Sequence, residues 1–170
     1  MYKLLGAILL LSSALCCGAC PIIYKMKRIR ALSNLTSALF RMRMEMHAAA
    51  PSIPILIQIM CENSYGEPRD FFASIWSSME EHGAMAFYST WNIKAKEMFW
   101  MLTKQEEDAL IKLGDVLGAY ILEDQVQEID TAITIFQNGI LDTKGFLKEQ
   151  GKLYLGTSLS IGLILVVVML

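Results

Sequence analysis

Histidine is scarce in this sequence: His47 and His82 are the only two. Few groups are therefore left to carry protons near neutral pH or to serve as neutral metal ligands. Cysteine is scarce where it would matter. Three of the four, Cys16, Cys17 and Cys20, lie in the first apolar run, and Cys61 stands alone, which excludes a disulfide framework across the middle of the chain. There is no HExxH, no pair of CxxC elements, no P-loop and no glycine-rich dinucleotide turn. Charge is thin, at 19% of residues with a net charge of -2, and neither a basic face nor a known module marks a nucleic-acid binder. These absences predict no metal, no cofactor, no catalytic residue, no nucleic-acid partner and no small-molecule substrate.

What the chain has in excess is hydrophobicity, at 54% of its 170 residues, and much of it sits at the two ends. From Leu4 to Ile23 no residue is charged. That run is about 20 residues, or roughly 30 Å of helix, enough to cross a bilayer. From Leu153 to Leu170 the chain is again uncharged. This pattern predicts an anchor at 1–23, a helical domain at 24–152 and a second transmembrane helix at 153–170, with lipid as a partner. Lys148 and Lys152 can snorkel where the second run begins, and Gly156, Ser160 and Gly162 would let a neighbouring helix approach. Lys25, Lys27, Arg28 and Arg30 follow the first run, and Lys144, Lys148 and Lys152 precede the second, whereas the outer side offers only Lys3. The positive-inside rule then places the middle domain in the cytoplasm. A rival reading of the first run is a cleaved signal or lipoprotein leader, with Cys20 after Gly18 and Ala19.

Between the ends the pattern is helix after helix. Leu32, Leu35, Leu39, Met42 and Met46 alternate at spacings of three and four, which makes one apolar stripe on a helix over about Tyr24 to Met46. Pro51 and Pro54 suit a helix start, and a short helix follows over Ile53 to Cys61. Pro68 opens the next, with Phe71, Phe72, Ile75, Trp76 and Met79 on one face and Gly83 at its end. Phe87, Trp91, Ala95 and Met98 mark a fourth helix over Ala84 to Phe99. Thr103 followed by Glu106 is a capping box for a fifth, Lys104 to Leu117, which turns Leu110, Leu113 and Leu117 inward. The last begins near Glu123 or Asp124 and carries Val126, Ile129, Ile133, Phe136, Ile140 and Leu147. Asn138-Gly139 and Thr143-Lys144-Gly145 weaken it but need not stop it, and it can run on into the second apolar segment. No run alternates as a strand would, and the loops are short, so the fold class is all-α, an antiparallel helical bundle.

Chemistry has little to work with. Cys61 with a histidine would supply a nucleophile and a base, but no orienting third group is evident. Glu106, Glu107 and Asp108 form an acidic first turn. Asp115, Glu123, Asp124, Glu128 and Asp130 read either as a solvated face or as an acidic patch for a basic partner helix. Gly114 and Gly118 read as a close helix crossing, a turn, or part of that surface. The candidate partner surface is thus Gly114, Asp115, Gly118, Asp124 and Glu128.

The order of these features resembles the stage III sporulation protein AB family. The residues that carry the resemblance are the Lys3-Leu4-Leu5-Gly6-Ala7 opening, the LTKQEEDALIKLGDVLG stretch from Leu102 to Gly118, DQVQEI from Asp124 to Ile129, and Lys152-Leu153-Tyr154-Leu155-Gly156. Three cysteines and Pro21 stand where the family usually has aromatic and small residues. The resemblance implies a helical domain similar to those of type II secretion and type IV pilus platform proteins. It also implies a part in a channel between mother cell and forespore. The implied partners are other sporulation channel proteins, including a secretion-type ATPase and membrane ring components, and the implied place is the mother-cell membrane. A small cysteine-dependent hydrolase and an exported lipoprotein are the competing functions.

Overall fold

The computed structural model describes residues 2–117 and 121–169, and for much of 2–18 and 151–169 the backbone alone. Every regular element among them is an α-helix: α1 (Tyr2–Ala49), α2 (Ile53–Asn63), α3 (Glu67–His82), α4 (Ala86–Met98), α5 (Lys104–Val116) and α6 (Leu122–Met169). Several helix ends carry the local chemistry that sets them. Proline sits in the first turns of α2 and α3, where its missing N–H costs nothing. Gly83 stops α3 at φ 81, a conformation glycine adopts without strain. Thr103 and Glu106 close a complete capping box at α5.

The chain divides into two compact units. One is Arg30–Ile140, and the other joins Met1–Ile29 to Leu141–Leu170. The core belongs to the first. The α1 stripe of Leu32, Leu35, Leu39, Met42 and Met46 is buried, as are Phe71, Phe72 and Ile75 of α3, Trp91 of α4, Leu110 and Leu113 of α5, and Ile129, Ile133 and Phe136 of α6. Phe71 is the hub, edge-on to Trp91 at 4.9 Å and to Phe72 and Phe99 at 5.3 Å each. Such edge-to-face packing directs the positive ring edge at the neighbour's face, adding roughly 0.5–1.5 kcal/mol per pair beyond area burial. In the second unit, Arg28 donates a hydrogen bond to Thr143 Oγ1, and the Lys25 ammonium lies 4.8 Å from the centre of the Phe146 ring.

The all-α bundle stands, but the flanking transmembrane helices do not. Among the described residues no helix is long and apolar enough to cross a membrane. The apolar ends are not separate spans. They are the outer ends of α1 and α6, each 48 residues long, which continue without a break into charged sequence. Pro21 lies inside α1, and α6 passes through Gly139 and Gly145. The 'transmembrane helix' reading falls, and with it the mother-cell membrane location and the orientation argued from it. Lys3, Lys152 and Gly162, on which parts of that reading rested, lie outside the described side chains.

Candidate partner surface

Two close approaches pack α5 against its neighbours. The first is between α4 and α5. Trp91 donates its indole N–H to the Leu110 carbonyl at 2.8 Å, which lays the ring over Gly114. A Cβ at Gly114 would stand 2.3 Å from Trp91 Cδ1. Gly114 is therefore a buried clearance beneath an aromatic ring and not part of an exposed surface. Of the readings left open for it by the sequence, the close helix crossing is the one that fits.

The second approach is between α5 and α6. Glu106 is 2% exposed, and its carboxylate accepts the Thr103 N–H at 2.7 Å, while Thr103 Oγ1 accepts from the Glu106 N–H at 3.4 Å. The other carboxylate oxygen lies 2.0 Å from where a Cβ of Gly139 would be. A buried carboxylate needs such partners to offset its lost hydration. Gly139 gives it room against α6.

The remaining predicted residues have separate surroundings. Asp115 is exposed and accepts a 3.4 Å hydrogen bond from Asn92 Nδ2 of α4. Asp124 is exposed in the first turn of α6, where its charge complements the helix N-terminus. The Glu128 side chain is only 12% exposed and pairs with Lys112 at 2.7 Å, so its charge is already answered within the chain. Gly118 lies outside the described residues. Asp115 and Asp124, with Glu123 beside the latter, are thus the solvent-facing acids of the predicted set. Asn92 and Lys112, which hold Asp115 and Glu128, went unnoticed in the sequence. They come from other elements, and no local pattern announces a pairing across helices.

The arrangement offers charge and hydrogen bonding rather than bond-making groups. Among the described residues no group of three or more His, Cys, Asp or Glu side chains could hold a metal ion. Cys61 is half-buried and free, His47 is exposed, and His82 is exposed 3.9 Å from Glu81, with no hydrogen bond between Cys61 and either histidine. A nucleophile–base pair needs hydrogen-bond reach. Cys16 and Cys20 are free and exposed.

The family model of stage III sporulation protein AB matches residues 3–170, and the chain belongs to that family. A solved structure of a stage III sporulation protein AB is similar in fold. It covers 71% of this chain and 96% of its own at 20% identity, with a TM-score of 0.60. No curated protein matches the sequence.

Proposed function

We propose that this chain is a non-enzymatic scaffold of a sporulation channel complex, and that it couples a secretion-type ATPase to the ring components of that complex. The family match over residues 3–170 carries the scaffold reading. Cys61 forms no hydrogen bond with His47 or His82, which favours it over the hydrolase reading. We place the ATPase contact at the exposed acids Asp115, Glu123 and Asp124, which form no ion pair among the described residues and offer carboxylates to basic side chains. Gly114 lies beneath the Trp91 ring, and the Glu128–Lys112 pair braces α5 against α6.

The test is capture of the tagged full chain from sporulating cells, read by mass spectrometry, beside an Asp115→Lys/Asp124→Lys variant with an unchanged circular dichroism spectrum. The ATPase should be recovered with the parent chain. Opposed charges at the contact should reduce recovery by about tenfold or more in the variant. If the ATPase comes down equally with both, the acidic corner is not the contact. If folded chain captures neither ATPase nor ring proteins, the coupling role is wrong.

A further inference from the structure

A groove of ≈ 260 Å³ opens between α1 and the turn from α2 to α3. Asn34 and Arg41, two helical turns apart on one face of α1, line one side. Asn63, Ser64 and Tyr65 line the other. Gly66, at φ +64, lets the turn close on α1; a Cβ there would lie 3.3 Å from Asn34 Nδ2.

The groove holds hydrogen-bonding capacity that the fold does not use. The Ser64 residue is 5% exposed, and its buried hydroxyl has no partner within the chain. A buried hydroxyl left unmatched costs stability, and this one is a donor beside the groove that the chain itself does not use. Arg41 is exposed and forms no ion pair among the described residues, and no carboxylate lines the groove. Asn63, in contrast, has part of its capacity committed, donating from Nδ2 to the Ile59 carbonyl at 2.9 Å. Tyr65 stands 81% exposed at the rim, with an apolar ring and a polar tip of the kind that anchors protein contacts. The volume falls below the roughly 300–1,000 Å³ of sites for drug-sized ligands, which favours one side chain over a nucleotide.

We propose that this groove binds a carboxylate side chain presented by an acidic segment of a partner protein. Arg41 takes the carboxylate through its paired N–H groups, the Ser64 hydroxyl and the Asn34 amide donate to the same oxygens, and Tyr65 covers the aliphatic stem. The site goes beyond the scaffold reading and does not depend on the α5–α6 corner, which carries charge of the opposite sign. Inorganic phosphate would meet the same donors and is the alternative source of anionic oxygen.

The test titrates isotope-labelled full chain with a capped hepta-glutamate peptide, a capped hepta-glutamine peptide and inorganic phosphate. It follows the Asn34 and Asn63 side-chain amides and the Ser64, Tyr65 and Gly66 backbone amides by NMR. The glutamate peptide should shift these resonances, and the glutamine peptide should not. Arg41→Glu, an exposed change, should weaken binding by about tenfold or more. Ser64→Ala should weaken it several-fold without lowering the thermal midpoint, since the hydroxyl serves no bond in the fold. Equal shifts with the glutamine peptide overturn the proposal, as does full binding by Arg41→Glu. Response to phosphate alone overturns it in favour of a small-anion site. A Ser64→Ala variant that binds normally but melts earlier assigns the hydroxyl to the fold and removes it from the site.

Discussion

Two glycines show how a missing methyl group sets the packing of this chain. At Gly114 the obstacle to alanine is the Trp91 ring, fixed by its bond to Leu110 and by its edge contact with Phe71. A rigid indole cannot yield, so Gly114→Ala should cost about 1–3 kcal/mol by overpacking, measured as a lowered denaturation midpoint. At Gly139 the obstacle is the Glu106 carboxylate, which can move only by leaving its cap. Gly139→Ala should therefore destabilise the parent chain but cost far less in a Glu106→Ala background. A double-mutant cycle reads that coupling, and additive effects would show that the two residues do not press on each other. Lys104 is a milder case. The hydrogen bond that its ammonium donates to Asp108, and the charges of Asp108 and Glu107, hold its pKa above the ordinary lysine range. The sign follows: the ion pair favours the fold while lysine is protonated, below that range, and its contribution disappears as pH rises through the raised value. Lys104 is exposed, so the effect on stability is small. Asp108→Asn should lower the Lys104 titration seen by NMR, and an unchanged titration would mean that the pair does not persist in solution.

At the scale of the element, the sequence was most legible where a helix signals its own start. The Thr103–Glu106 spacing predicted the α5 cap, and both bonds of the box are present. Thr103→Ala should cost about 1 kcal/mol, Thr103→Ser much less, with denaturant midpoints as the measure. A loss shared equally by serine would implicate the threonine methyl instead. Apolar periodicity likewise predicted the buried stripe of α1 and the inward faces of α3 and α5, because burial in a helix repeats with its turn. Helix continuity was legible for α6, which runs on past Leu153 into the second apolar segment, and less so for α1. Tyr24 looks like a boundary because composition changes near it, yet the backbone ladder ignores composition. It ends at a breaker such as Gly83, and neither Pro21 nor Gly139 ends α1 or α6. Cross-helix relations were hardest to see. Trp91 over Gly114, Glu106 against Gly139 and the Arg41–Ser64 groove join residues from different elements, and no short-range pattern encodes them.

For the whole molecule, the distribution of the core makes a strong statement about what folds. Every member of the buried hydrophobic cluster lies between Leu32 and Phe136, inside the Arg30–Ile140 unit. The Arg28–Thr143 and Lys25–Phe146 contacts lie outside it. Family membership was readable from the order of motifs because the Leu102–Gly118 stretch contains the α5 cap and the glycine beneath Trp91, both of which this unit uses. The membrane reading rested on the apolar ends, and it fell because no helix among the described residues is long and apolar enough to cross a membrane. If burial within 30–140 is what drives folding, a fragment of those residues should fold without the rest. At roughly 110 residues it is within the size range of independently folding domains. It should keep its helical circular dichroism and unfold in one cooperative transition, with amide exchange slowest around Phe71, Trp91 and Leu110. A broad, non-cooperative melt with collapsed exchange protection would show that the bundle needs residues outside 30–140 to fold. The same outcome would make the contacts of Arg28 and Lys25 part of the folding unit, and Arg28→Ala in the full chain would then destabilise the bundle itself.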